Sequence, residues 1–112
     1  MEHKTQLLVK HAVGGRTFVD SIAEGLHFEV TLQEDGGWII AAAVPHSDKI
    51  AEVLRLRHEL NVFVFEKTAS RGTKKTWYYV NEGKVAYEES SGKLILRAAS
   101  KLEYYPSEYS YS

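Results

Sequence analysis

The stretch Arg71-Gly72-Thr73-Lys74-Lys75-Thr76-Trp77-Tyr78-Tyr79 sets three basic side chains directly before three aromatic ones. Basic side chains track phosphates and aromatic faces stack on bases, so this mixture suits a binder of single-stranded nucleic acid. The structural alternative is a plain hairpin in which Trp77 and Tyr79 face the core while Tyr78 faces solvent, since successive strand residues point to opposite sides. A second cluster lies at the end of the chain. Tyr104, Tyr105, Tyr109 and Tyr111 crowd together with Ser107, Ser110 and Ser112. Tyrosine brings a large contact area, a polar tip and little rotamer entropy, which suits a protein contact surface.

Catalytic and metal-binding patterns are thin by comparison. His3, His11, His27, His46 and His58 have no partner histidine at i, i+2 or i, i+4, the spacings at which one strand or helix presents two ligands to a metal. His46-Ser47-Asp48 contains three catalytic residue types, but a relay needs hydroxyl, imidazole and carboxylate in line at hydrogen-bond distance. Ser47 is read instead as a helix cap. His27 and Glu29 fall on one polar strand face, where they can touch each other in solvent. Glu34-Asp35 and Glu88-Glu89 sit beside turns, where acidic residues serve backbone geometry. Gly14-Gly15 and Gly36-Gly37 lack the spacing and lysine of a phosphate loop. The chain has no cysteine, which removes disulfides, thiolate metal sites and a cysteine nucleophile together.

The elements that must position these residues are mostly strands. Gln6 to Val13 reads as a strand ended by Gly14-Gly15. Thr17 to Gly25 reads either as a short helix or as a second strand in a hairpin with the first. Leu26, Phe28, Val30 and Leu32 alternate with polar residues, the period of a half-buried strand. Glu34 to Gly37 forms a tight turn, and Trp38 to Val44 returns as a strand that is apolar on both faces. Its three consecutive alanines suggest a helix crossing close by. The expected helix is Asp48 to Glu59, after Pro45, with Asp48 and Glu52 in its first turn. The competing reading is one continuous strand from Leu54 to Phe65. A meander follows: strands at Val62–Lys67, Lys75–Val80, Val85–Glu89 and Lys93–Ser100, with a turn at Asn81–Lys84.

This pattern predicts an α+β fold: a largely antiparallel, twisted sheet of six or seven strands packed against one main helix, with an all-β barrel or sandwich as the alternative. Residues 1–103 form one domain on this reading, and 104–112 a Tyr/Ser-rich tail that is mobile at its end. Fourteen Lys plus Arg stand against fifteen Asp plus Glu, a net charge of -1, so there is no global pull toward nucleic acid or acidic membranes. Residues 57–101 nevertheless hold nine basic and five acidic side chains. The longest apolar run, Trp38 to Val44, is far below the roughly 20 residues that span a bilayer. The function expected is that of a small non-enzymatic binding protein, a regulatory or accessory factor in the cytoplasm acting through protein contact. The alternative is a nucleic-acid-binding module. The candidate partner-binding residues are Arg71, Lys74, Lys75, Trp77, Tyr78, Tyr109 and Tyr111. No catalytic residue, cofactor or metal ligand is expected, and a sheet edge could support a homodimer.

Overall fold

A computed structural model describes residues 5–69 and 71–106, with the backbone alone described at 81–83. The elements in chain order are β1 (Thr5–His11), β2 (Thr17–Asp20), β3 (Phe28–Leu32), β4 (Trp38–Ala43), α1 (Asp48–Arg55), β5 (Leu60–Thr68), β6 (Gly72–Glu88) and β7 (Lys93–Tyr104). All seven strands join one antiparallel sheet in the order β2-β1-β5-β6-β7-β4-β3, curled into a half-barrel.

Alternation decides what the sheet encloses. Leu7 and Val9, Val62 and Val64, Leu94 and Leu96, and Ile40 and Ala42 come from four different strands, and all are buried on the inner face. Ile50 and Val53 of α1 join the same core. The helix is held from both sides of β2. Lys49 Nζ meets Glu24 Oε1 at 2.6 Å, and Arg16 Nη1 meets Glu52 Oε2 at 2.7 Å.

Several expectations need correction. The sheet is antiparallel with seven strands, but eight-residue α1 is no second layer laid across it. The architecture lies closer to the all-β alternative, because the sheet encloses most of its core by curling on itself. Of the two readings of Thr17 to Gly25, the strand paired with β1 is the one that forms, at Thr17–Asp20. The helix ends at Arg55 rather than Glu59, and the Arg57 guanidinium donates to the Leu54 carbonyl at 2.8 Å. Ending there lifts Arg57 off the apolar face that a longer helix would have forced it into. Leu54 to Phe65 is therefore not one strand. Ser47 occupies the N-cap position, but its hydroxyl makes no capping bond; instead its carbonyl accepts from the Ile50 N–H at 3.0 Å.

The expected turn at Asn81–Lys84 is also absent, because β6 runs through it. Its register against β7 shifts there. Val80 pairs with Ala98 and Val85 with Leu96, so four residues of β6 lie opposite one of β7. A second irregularity places Tyr79 opposite Ser100 while Val80 faces Ala98, leaving Ala99 as an extra residue. Bulges of this kind bend a strand and increase its local twist. The hairpin at Gln33–Gly37 closes as the sequence suggests. Gln33 N–H donates to the Gly37 carbonyl at 2.7 Å, and Gly36 takes φ +90°, a conformation that favours glycine.

Where β2 ends, Ser21 continues the pairing with β1 through its side chain. Leu7 N–H donates to the Ser21 hydroxyl at 2.8 Å in a buried setting, and Ser21 N–H donates to the Leu7 carbonyl at 3.0 Å. Ser21→Ala removes the acceptor and leaves a buried N–H unpaired, at a cost of about 1–3 kcal/mol. Urea denaturation should show that loss, while Ser90→Ala at an exposed position should stay within about 0.5 kcal/mol of the wild type. Equal midpoints for the two variants would contradict the assigned role of Ser21.

Candidate functional site

Strand pairing divides the basic-aromatic stretch between the two faces of the sheet. Phe63 lies opposite Trp77 and Phe65 opposite Lys75 on the outer face. Val64 lies opposite Thr76, and Val62 opposite Tyr78, on the inner face. Tyr78 is 6% exposed and Tyr79 40% exposed. This reverses the expectation that Trp77 and Tyr79 would face the core and Tyr78 the solvent. The apolar residues of β5 explain the outcome. Val62 and Val64 belong to the core, and the register carries Thr76 and Tyr78 inward with them.

Outward, the side chains form a connected aromatic surface. Phe63 and Trp77 stand 5.9 Å apart, Trp77 and Tyr79 4.8 Å, and Phe63 and Phe65 6.5 Å, measured between ring centroids. Such pairs contribute about 0.5–1.5 kcal/mol each beyond their buried area. Lys75 Nζ lies 4.2 Å above the Phe63 ring, 5.5 Å from Phe65 and 5.7 Å from Tyr104. Leu102, opposite Trp77, extends the surface and is 47% exposed. Lys10 of β1 and Lys67 of β5 point to the same side. The carboxylate that borders this region on the outer face is Asp20 of β2. It accepts from Gln6 Nε2 at 2.8 Å and from the N–H groups of Ile22 and Ala23 at 3.1 Å. The Gln6 bond chiefly holds its carboxyl below the ordinary value, with burial opposing it and the two backbone bonds adding to it.

The inner face at the same end of the sheet carries a different set. Lys74 Nζ lies 3.3 Å from Glu66 and 3.6 Å from Glu103, and Lys101 Nζ lies 2.8 Å from Glu103. Lys101 also stands 4.8 Å above the Trp38 ring, which meets Tyr78 edge-on at 6.0 Å. The bond from Lys101 lowers the Glu103 pKa, and burial only partly opposes it. Desolvation pushes the Lys74 pKa down, but Glu66 and Glu103 together outweigh it and the net direction is up. Burial raises the Tyr78 phenol, with the Glu103 charge adding to it.

The expected partner-binding set is thus not one cluster. Lys75 and Trp77 share the outer face, whereas Lys74 and Tyr78 share the inner one. Arg71 sits in the β5–β6 turn, with its guanidinium 3.8 Å from the Tyr105 ring centroid. Tyr109 and Tyr111 lie outside the described residues. Sequence reasoning missed Phe63, Phe65 and Leu102, and it left Tyr79 out of the partner-binding set although that residue closes the basic-aromatic stretch. The period-two pattern of β5 could have found the two phenylalanines once Val62 and Val64 were assigned inward.

The other candidates disperse. His27 and Glu29 stand 3.8 Å apart, both largely exposed, and His46 lies 4.0 Å from Glu89 in solvent. His11 pairs with Glu59 at 2.9 Å. Among the described residues, no group of three or more His, Asp or Glu is placed to hold a metal ion, and no helix is long and apolar enough to cross a membrane. Two shallow hollows, of about 130 and 250 Å³, share Lys84 and Arg97 beside the β6 irregularity. Comparison of the chain with protein-family models, curated proteins and solved structures gives no match.

The inner ion-pair set predicts a pH response. Glu103, with its lowered pKa, contributes stability that is fully present above the ordinary glutamate value of 4.5 and is lost as pH falls through its folded value. The stability difference between wild type and Glu103→Gln should therefore stay constant from neutral pH down to that range and shrink below it. Urea midpoints measured against pH check this, and a difference that grows on acidification would refute the pairing.

Proposed function

We propose that this is a binding protein without catalytic activity, acting through the outer face formed by Phe63, Phe65, Trp77, Tyr79 and Leu102. The supporting observation is the aromatic surface itself. It lies on the side of the sheet away from the core, where the described residues place neither α1 nor another layer of structure over it. Contiguous apolar surface rimmed by polar residues marks interaction sites in soluble domains, and aromatic side chains with Lys or Arg at their margin are common in interface centres. The partner that suits it is a protein segment with apolar anchors and acidic flanks, because Lys10, Lys67 and Lys75 outnumber the Asp20 carboxylate beside the rings.

The same combination favours a second reading, single-stranded nucleic acid. Successive rings on neighbouring strands can stack bases, and lysines alongside can follow phosphates. Salt separates the two. Contacts to phosphate weaken steeply as salt rises, whereas a mainly apolar protein contact persists.

Tyr79→Glu with Leu102→Glu places two carboxylates on the surface at positions outside the core. The lost Trp77–Tyr79 contact should lower folding stability by about 0.5–1.5 kcal/mol and the Leu102 change by about 0.5 kcal/mol, so the urea midpoint is measured first to show that the variant is folded. Immobilised wild type should retain a protein from extract of the source cell at about 0.5 M salt, where the Debye length is only a few ångströms, and the double variant should not. In parallel, a mixed-sequence single-stranded oligonucleotide is titrated against Trp38→Phe protein, leaving Trp77 as the sole indole. Quenching that disappears with salt would replace the protein reading with the nucleic-acid one. A wild type that retains nothing the variant does not also retain, together with no quenching, would defeat both.

A further inference from the structure

We propose that β3 pairs with β3 of a second copy of this chain, antiparallel and centred on Val30, to form a homodimer with one continuous sheet. The order of strands ends in β2 on one side and β3 on the other. These two edges are finished differently. At β2, the Asp20 N–H donates to the Glu24 carboxylate at 2.9 Å, and the Asp20 carboxylate takes the next two free N–H groups. Side chains thus occupy the donors where that strand ends. At β3, no side chain among the described residues accepts from an edge N–H.

The hydrogen-bond phase of β3 shows which groups are open. His27 accepts from the Ala43 N–H at 2.9 Å, and the Gln33 N–H donates to Gly37 at 2.7 Å. With the register Phe28↔Ala42 through Leu32↔Trp38, the ladder bonds to β4 fall at His27, Glu29, Thr31 and Gln33. The N–H and C=O groups of Phe28, Val30 and Leu32 therefore point away from β4, toward the open edge. A two-fold axis through Val30 matches these groups to themselves. Val30 bonds Val30 of the second copy in both directions, Phe28 bonds Leu32, and Leu32 bonds Phe28. Such a contact is isologous, as closed two-fold dimers require.

The side chains agree with the same register. On the inner face Phe28 and Val30 already pack partly on the core, but Leu32 is 65% exposed. The pairing sets Leu32 opposite Phe28 of the second copy and Val30 opposite Val30, covering the exposed leucine. On the outer face, Glu29 comes opposite Thr31, so the strand's single carboxylate does not meet its own copy. The strand also lacks the lysine, proline or bulge that natural edges use against self-pairing. A five-residue edge makes a small interface, so the dimer should be weak, with a dissociation constant on the order of micromolar.

Analytical ultracentrifugation of the full chain over a range of concentrations tests this. Wild type should pass from monomer to dimer as concentration rises through about 1 to 100 µM, the range in which small interfaces associate. Val30→Pro removes a donor at the open edge and none from the β4 ladder, a position where edge strands tolerate proline. Both copies carry the change, so it removes two bonds across the interface and should raise the dissociation constant at least about tenfold. Thr31→Glu sets like charges opposite each other twice and should do the same. Glu29→Lys in the Thr31→Glu background should restore the dimer, which a merely misfolded Thr31→Glu chain would not allow. A wild type that stays monomeric throughout the range, or a dimer indifferent to Thr31→Glu, would overturn the proposal. The dimer does not depend on the outer aromatic surface: Tyr79→Glu with Leu102→Glu should leave association unchanged, and loss of the dimer in that variant would also overturn it.

Discussion

Consecutive residues of a strand must point to opposite faces, and this chain encloses only one of those faces. That constraint governs the molecule. In a two-layer fold a helix or second sheet covers what the first sheet buries. Here the covering is mostly the sheet's own curvature, supplemented by Ile50 and Val53 from a helix of eight residues. The inward apolar residues of β1, β5, β7 and β4 therefore share one core. Each outward residue between them is left to find partners on its own surface. Phe63, Phe65, Trp77 and Tyr79 do so by packing on one another and under Lys75.

Curvature has to be built from somewhere, and β6 and β7 supply it. Seventeen residues in a straight strand would run for roughly 55 Å, longer than the 43 Å largest dimension of the molecule. The strand bends instead at its two register irregularities. These also preserve the faces. Val80 and Val85 are five positions apart, an odd number, so in a regular strand one of them would point outward. Four residues set against one on β7 bring both to the inner side, together with Tyr87, whose hydroxyl donates to the Val44 carbonyl at 2.7 Å. Ala99 plays the matching part on β7, where it lets Ala98 and Lys101 share the inner face. Near that bend Gly37 leaves no room for a side chain, since a Cβ there would stand 2.9 Å from the Ala98 carbonyl oxygen, a backbone atom that cannot swing aside.

These points explain what the sequence disclosed and what it hid. The alternation of Phe28 to Leu32, the turn at Gln33–Gly37 and the helix start after Pro45 are local signals, each complete within a few residues, and each is realised. The passage from Val80 to Val85 is a local signal that misleads. Asn, Glu, Gly and Lys in succession resemble a hairpin turn, but the long partner strand β7 holds both halves of β6 in one line, and only the tertiary pairing contains that information. The same limit hid the fate of Trp77, Tyr78 and Tyr79. Alternation shows that the middle residue opposes its neighbours. It does not say which side is inner until the register to Val62 and Val64 is known. The helix ended early for a related reason. Apolar residues at Leu56 and Leu60 fit a longer helix, but Leu60 is needed opposite His11 to begin β5.

Face separation also changes what net charge means. A total of -1 predicts no electrostatic preference, yet the carboxylates and lysines near β6 are not mixed. Glu66, Glu103, Lys74 and Lys101 neutralise one another on the inner side. Lys10, Lys67 and Lys75 lie outside, where they outnumber the Asp20 carboxylate at the border of that region, which its bonds from Gln6 and two backbone N–H groups help hold ionised. A ligand approaching the aromatic surface meets a locally cationic rim that the chain total conceals. The field of such a rim fades within a Debye length of about 8 Å at physiological salt. On the proposed binding reading, such a rim would orient a partner that already touches the rings, and apolar contact with Trp77, Tyr79 and Leu102 would have to supply most of the affinity.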